Sequence, residues 1–485
     1  MNKRTVRFRF EFSRFTFSAA LLIGASLSSA QTPAGWKTVS PGFTAQALLS
    51  HNNAMWAAGS GESIAASTDA GQHWVRKHEN SSGALLLSFA FVTGKFGYAA
   101  GTGGTVIFTK DGGESWTAQR LAQESILQAA FADTEHGVIR TRSALLATTD
   151  GGKSWNPVVP ANDPDWSAKY PFTENMAALD STHLLVRVSE GKLSDGEFLW
   201  TADGGATWSA NYLSNGAGRD NLFVAQGRYW TVGHEIVNKD KPGGGGSEPM
   251  AVTSKDGIDW EHRPVYYDVC HWHDCGGCTP QGCFAGQSSF VPFSRILQDA
   301  PGNTPASASV QNAIEQEKLG RFPAHLLTNQ WALTGQTLCL LTQGVIDCTT
   351  LEPAASLDTK DESFDFDQSS WPPLHPTPGG ALNLSIEPAL GHGIRCIRCN
   401  LLRTYFSETG NSGPTPFEIS FVVGTSGIAE NFKLKGSLPD DVAARVRNAA
   451  SSWIFEPPLE NGKAKPVHET LSGTIFVMNF AKPPR

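Results

Sequence analysis

Three things are missing from the sequence, and each absence closes off a class of function. After the apolar run Phe15 to Leu27, no segment of the 485 residues approaches the roughly 20 apolar residues of a membrane helix, so no transmembrane segment is expected in the mature chain. A basic excess is also missing. Lys and Arg number 38 against 46 Asp and Glu, and five of the basic residues fall within the first 30 positions, which argues against a nucleic-acid partner. The third absence is Cys-x-x-Cys-His: Cys278 is followed by Thr279 and Cys399 by Asn400, so covalent haem is not supported and no cofactor is expected.

What is present, first, is an export signal. Residues 1–30 carry Lys3, Arg4, Arg7, Arg9 and Arg14, then the short apolar run, then Ser28-Ser29-Ala30. A charged start, an apolar run too short to span comfortably and small residues at a cleavage position are the marks of a secretory signal peptide, with an uncleaved anchor as the rival. The expectation is an exported protein, periplasmic or secreted.

The second feature is a repeat. Thr109-Lys110-Asp111-Gly112-Gly113-Glu114-Ser115-Trp116 has the form Ser/Thr-x-Asp-x-Gly-x-x-Trp, as do Ser67 to Trp74, Thr148 to Trp155 and Thr201 to Trp208. Ser254 to Trp260 is a fifth copy, one residue shorter. In such a unit the Asp carboxylate can accept bonds from N–H groups of its own turn, and the Gly takes a positive φ. The Trp starts the next strand and lies back over the turn, burying a large apolar surface. Asp69, Asp111, Asp150, Asp203 and Asp256, with Trp74, Trp116, Trp155, Trp208 and Trp260, are therefore read as structural residues and not as catalysts. Successive aspartates lie 42, 39, 53 and 53 residues apart, the period of a four-stranded propeller blade, which cannot bury both faces without neighbours.

The eight-residue unit resembles the Asp-box, or bacterial neuraminidase repeat, of sialidases and many non-enzymatic propellers. The longer unit Phe89 to Phe108, leading into Asp111, is similar to repeats of the photosystem II assembly factor type, a binding and assembly propeller. The resemblance implies a mainly β propeller fold; at about 45 residues per blade the interval from Trp36 to Pro353 holds about seven blades, two of them without a box. The first four blades are expected over 44–78, 85–120, 126–159 and 177–212, and the fifth, between Leu222 and Trp260, is stretched by a Gly-rich loop at 243–246.

The chain has eight cysteines. Cys270, Cys275, Cys278 and Cys283, with His271 and His273, form a Cys-rich insertion (270–283) whose donors suit zinc or iron. Export and even parity favour disulfides instead, and the same holds for Cys339, Cys348, Cys396 and Cys399. Cys396 and Cys399 have redox-pair spacing but no thioredoxin-like surroundings, so a structural bridge is expected. Connectivity is left open.

Residues 354–380 pass from acidic to proline-rich and read as an extended linker, followed by a Cys-containing connector over 381–416. From 417 to 480 the pattern becomes ββαβ. Strands are expected at Phe417 to Val423, Ile428 to Leu434 and Thr470 to Phe480. Between them a helix starts near Ser437, Pro439 and Asp440, burying Val442, Val446, Ala449, Ala450 and Trp453. This small α+β unit, with Trp453-Ile454-Phe455-Glu456-Pro457 after the helix, resembles the C-terminal domain of TonB energy transducers. That resemblance implies docking to a protein by strand pairing, with the Phe417 to Val423 strand as the edge that loses its partner when changed. Energy transduction would also need an N-terminal membrane helix, for which only the signal segment is present.

The alternative function is a sialidase-like glycoside hydrolase or a lectin acting on extracellular glycans. Sialidases resemble one another in an Arg-Ile-Pro motif, which is absent here, and no spacing selects Arg140, Arg142, Arg187, Arg219 and Arg228 as an arginine triad or Tyr266 or Tyr267 as nucleophile. His136, His183 and His234 read as satisfied polar residues, and Trp230, Trp272 and Trp331 as core before groove. The sequence thus favours a binding protein over an enzyme, with an envelope or extracellular protein, or a glycan, as its partner.

Overall fold

The computed structural model describes residues 37–80, 83–122, 124–169, 172–189, 196–212, 221–237, 246–264, 275–279, 282–285, 289–292, 331–342, 344–350, 364–365, 396–399, 404–407, 413–451, 453–460 and 463–479. The export segment lies outside these residues, as do most of the 354–380 stretch and the Gly-rich loop at 243–245. No described helix is long and apolar enough to cross a membrane.

The first five sheets are antiparallel meanders of four strands, each built from one sequence repeat. Sheet 1 contains Ala45–His51, Ala54–Gly59, Ser63–Ser67 and Val75–His78. Sheet 2 contains Leu86–Phe91, Gly97–Gly101, Thr105–Thr109 and Thr117–Arg120. Sheet 3 contains Gln128–Phe131, Gly137–Arg140, Leu145–Thr148 and Asn156–Pro157. Sheet 4 contains Phe172–Ala178, Leu184–Ser189, Gly196–Thr201 and Ser209–Tyr212. Sheet 5 contains Asn221–Ala225, Arg228–Val237, Gly246–Ser254 and Trp260–Pro264.

Two further four-stranded sheets draw strands from distant parts of the chain. Sheet 6 contains Cys275–Thr279, Gly282–Ala285 and Ser289–Pro292, and its fourth strand, Phe364–Asp365, comes from the stretch read as linker. Sheet 7 contains Trp331–Thr334, Thr337–Thr342 and Val345–Thr350, completed by Lys37–Val39 from the other end of the chain. A strand from the start of the repeats thus locks onto the last three, and Thr38 donates to Asp347 Oδ1 at 2.6 Å.

The first strands of sheets 1 to 6 contact one another in succession, and the first strand of sheet 7 contacts that of sheet 1. The apolar core lies between the sheets. Trp56, Ile64 and Ala58 of sheet 1 pack on Phe89, Ala99 and Ile107 of sheet 2. Met55 and Leu48 pack on Leu341 and Ile346 of sheet 7. Equivalent clusters join sheets 2 and 3, 3 and 4, and 4 and 5. Small residues such as Ala57, Ala58, Ala65, Ala99 and Ala100, all fully buried, line these interfaces and let the sheets approach.

The C-terminal sheet has the strand order Thr404–Ser407, Val467–Asn479, Gly413–Val423, Ala429–Gly436. The Phe417 to Val423 strand is therefore internal, held on one side by Val467–Asn479 and on the other by Ala429–Gly436, and the expectation that it forms the edge is corrected. Its alternation of buried and half-exposed residues fits either position, because register on one face says nothing about pairing at the sides. The helix Asp440–Ala450 covers one face, with Val442, Val446, Ala450 and Trp453 fully buried beside Phe421 and Phe455. Pro439 occupies the N-cap position and makes no side-chain cap, so Ser437 does not open the helix as its sequence position suggested. The short strand Thr404–Ser407 comes from the connector and pairs in parallel with residues 476–479.

Candidate functional site

In a meander the connections from second to third strand and from third to fourth lie at opposite ends of the sheet. The five boxes are all third-to-fourth turns, so they share one face of the sheet assembly. The turns at 60–62, 102–104 and 141–144 lie on the other.

The box geometry is the same each time. In sheet 2 the Thr109 hydroxyl donates to Asp111 Oδ1 at 2.8 Å and accepts from the N–H of Gly113 at 2.9 Å. Asp111 Oδ1 also accepts from the Ser115 N–H at 3.0 Å and Oδ2 from the Ser115 hydroxyl at 2.5 Å. Asp150 repeats the pattern with Thr148 and Ser154, Asp203 with Thr201 and Thr207, and Asp69 with Ser67 and His73. In the shortened fifth copy Asp256 accepts from Ser254 and from the N–H groups of Ile258 and Asp259.

These bonds hold the ionised form. The Ser115 hydroxyl and N–H set Asp111 well below the usual carboxylate range. The Ser154 hydroxyl, then its N–H, bring Asp150 to about 2, and the N–H of His73, then its ring and the Ser67 hydroxyl, bring Asp69 to about 2. The Ser/Thr at the head of each box is thus the hub of the turn, a role that position-by-position reading missed although the residue recurs in all five copies.

The box tryptophans differ among themselves. Trp116, Trp208 and Trp260 donate to the carbonyl of their own box glycine at 3.1 Å. Trp155 reaches across to Leu121 O at 2.5 Å, and Trp74 Nε1 is buried with no partner among the described residues. The box glycines face the preceding sheet. A Cβ on Gly113, at φ +94, would stand 2.2 Å from Cη2 of Trp56 in sheet 1.

The other candidate residues scatter. His136 Nδ1 lies 3.0 Å from Asp133 Oδ2, and His183 Nδ1 lies 2.9 Å from Asp180 Oδ1; both occupy first-to-second strand turns that their aspartates cap. Trp230 and Trp331 are 2% and 1% exposed and belong to the core. Arg228 bonds to Thr253 at 3.0 Å and to Glu261 at 2.8 Å, while Arg142 turns toward the C-terminal sheet and Arg187 is buried in sheet 4. Arg142 and Arg228 thus bond to partners in different parts of the fold. His234 lies in a strand of sheet 5, but its side chain is outside the described residues, as are Arg219, Tyr266, Tyr267, Trp272, Cys270, His271 and His273. Cys275, Cys278 and Cys283 lie in sheet 6 with Cys278 opposite Cys283 in register. Two disulfides are described, Cys339–Cys348 and Cys396–Cys399.

The face opposite the boxes holds two features that no motif announced. Glu62, at φ +51 and fully buried, accepts from Arg120 at 3.1 Å and from Asn80 at 3.2 Å and lies 3.4 Å from His78, joining sheets 1 and 2. Beside it a two-stranded ribbon of the C-terminal part, Cys396–Arg398 paired with Ile454–Phe455, packs on the repeats: Ile454 and Ile397 meet Leu85, Leu87 and Leu127, and Arg142 Nη2 donates to Cys396 O at 2.8 Å. At the far edge of the C-terminal sheet the Ala429 N–H donates to Trp453 O at 3.3 Å, and no described strand pairs with the outer side of residues 430–436.

A family model described as Photosynthesis system II assembly factor YCF48 matches residues 80–234. This match and the meander sheets identify the repeats as a β-propeller. No curated protein matches the chain. Among solved structures the chain is similar to YCF48 bound to D1 peptide, at 16% identity over 67% of this chain and 97% of that one, with a TM-score of 0.36. It is similar to YCF48 from Cyanidioschyzon merolae, at 16% identity over 48% and 88%, with a TM-score of 0.30. A GH74 xyloglucanase from Xanthomonas campestris is similar at 14% identity over 66% and 54%, with a TM-score of 0.37. Likenesses this distant add nothing about function.

Proposed function

We propose that the chain is an exported, non-catalytic binding and scaffold protein of the cell envelope, periplasmic or secreted. Its propeller, of about seven blades, presents a face to a protein ligand, and its TonB-like C-terminal unit docks a protein by strand pairing. The observation that carries this reading is the state of the box carboxylates. They recur in all five boxes, and each accepts three or more bonds from donors of its own turn that hold it in the ionised, turn-building form, which favours a structural over a catalytic role.

The family match to an assembly factor supports a role in holding proteins together. Beyond Ala429, whose N–H donates to Trp453 O, no described strand pairs with the outer side of residues 430–436, an edge of the kind that β-augmentation uses. Residues 1–30 support export, and the cysteines of 270–283 are read as disulfides of an oxidising compartment.

The test is affinity capture from a native cell-envelope extract with the intact mature chain, identifying bound proteins and glycans by mass. A defined protein retained in proportion to the bait is the expected result. Retention of glycan alone would replace this reading with a lectin or glycosidase.

A further inference from the structure

The two described disulfides occupy different surroundings. Cys339 and Cys348 are register partners in adjacent strands of sheet 7, at 0% and 6% exposure, and nothing in solution reaches them without opening the sheet. Cys396 and Cys399 close a loop with only two residues inside it. Cys399 is buried in the core of the C-terminal sheet, whereas Cys396 is half-buried at its margin. So short a loop removes little freedom from the unfolded chain, and of the two cysteines the half-buried Cys396 is the one a thiolate can approach.

The same loop makes the junction with the propeller. Its strand Cys396–Arg398 pairs with Ile454–Phe455. Cys396 O accepts the hydrogen bond from Arg142, and Ile397 lies with Ile454 against Leu85, Leu87 and Leu127. Among the described residues, the hydrogen bond from Arg142 and the aliphatic contact with Leu85, Leu87 and Leu127 both run through this loop and the strand it pairs with.

We propose that Cys396–Cys399 is a reducible site for a dithiol protein and that its reduction releases the C-terminal sheet from the propeller. A thiolate of the reductant attacks Cys396 Sγ, and Cys399 leaves as a thiolate and takes a proton. The second thiol of the reductant, as its thiolate, then displaces Cys396, which takes a proton in turn. Two electrons and two protons pass to the pair, and the reductant ends as a disulfide. Freed of the bridge, the loop no longer holds Cys396 O and Ile397 in place, which weakens the bond from the exposed Arg142 and the aliphatic contact that join the two parts among the described residues. Undocking uncovers Leu85, Leu87 and Leu127 on the face opposite the boxes.

The inference is independent of the partner proposed above, and its test uses the purified full chain. The oxidised protein is titrated with dithiothreitol, thiols are mapped by alkylation and mass, and side-chain exposure is followed by hydroxyl-radical footprinting. Emission from the tryptophans, among them the fully buried Trp453, reports whether the C-terminal sheet stays folded. Cys396 and Cys399 should be reduced at least about tenfold faster than Cys339 and Cys348. Labelling of Leu85, Leu87 and Ile454 should then rise severalfold with the emission unchanged. Ile397→Asp should give the same labelling without reductant, and the C396S/C399S double variant should match the reduced protein.

Equal reduction rates for the two pairs would overturn the proposal, as would unchanged labelling at Leu85 after the pair is reduced. A loss of the folded emission on reduction, or a double variant that does not fold, would also overturn it, since the bridge would then be a core staple. Unchanged labelling in Ile397→Asp would remove the docking contact on which the proposal stands.

Discussion

Replacing Gly113 by alanine tests how tightly the boxes bind one sheet to the next. The residue sits at φ +94, where a side chain costs about 1–2 kcal/mol. Its new methyl would stand 2.2 Å from Trp56 Cη2, far inside the roughly 3.5–4.0 Å of a carbon contact. The ring cannot simply retreat. Trp56 is 4% exposed, packs edge-on against Phe91 at 5.0 Å and Trp116 at 6.3 Å, and donates to His51 O at 3.3 Å. Overpacking of this kind costs about 1–3 kcal/mol, so the total expected loss is about 2–5 kcal/mol. Gly103 provides the control, because it has φ +64 and nothing within 4 Å of its would-be Cβ. Gly103→Ala should cost only the backbone share, about 1–2 kcal/mol. Denaturant unfolding of both variants against the parent measures the difference, provided the slopes stay equal. If Gly113→Ala loses no more stability than Gly103→Ala, the turn does not pack on the neighbouring sheet as described.

Three further outcomes follow from the same geometry. Because the folded values of Asp69 and Asp150 are about 2, below the unfolded range near 4, their contribution is present above about pH 4 and is lost as pH falls toward 2. An acid titration of the melting temperature should show this fall, and a D69N/D150N variant should show a smaller one. An Asp111→Ala, Asp150→Ala double variant should melt lower while retaining any captured partner; an unchanged melt would count against the structural role of the boxes. Glu62→Ala, measured by chemical denaturation, should cost about 1–2 kcal/mol, since it removes the buried acceptor beside the half-buried His78 while the exposed Asn80 and Arg120 can turn to water.

The parts of the fold that the sequence announced are local ones. A box needs only eight consecutive residues, so Thr109 to Trp116 declares its turn wherever it is placed, and the strands on either side inherit their register from it. The ββαβ order near the C-terminus was legible for the same reason: alternation and a helical stripe are short-range patterns. Pairing between distant residues leaves no such trace. Lys37–Val39 is three residues long and finds its partners about 310 positions away, and Phe364–Asp365 joins sheet 6 from within an acidic stretch whose composition signals a linker. Thr404–Ser407 adds a parallel edge that no alternation could foretell.

The candidate surfaces were legible to a similar degree. Burial of Trp230 and Trp331 agrees with their reading as core residues. The internal place of Phe417 to Val423, the buried Glu62 cluster and the seat of Ile397 and Ile454 on the propeller depend on tertiary neighbours. In the cysteine pair at 396 and 399 the spacing was visible at once, but its position at a junction between two parts of the fold was not.

The measurement that bears most directly on the proposed function is site-specific photo-crosslinking of the intact chain in native envelope extract. One reporter replaces the exposed Glu430 on the free edge strand, and a second replaces the exposed Lys153 in a box turn. The account predicts one abundant protein adduct from position 430 and none from position 153. No protein adduct at 430, or the same adducts from both positions, would contradict docking of a protein partner at the sheet edge.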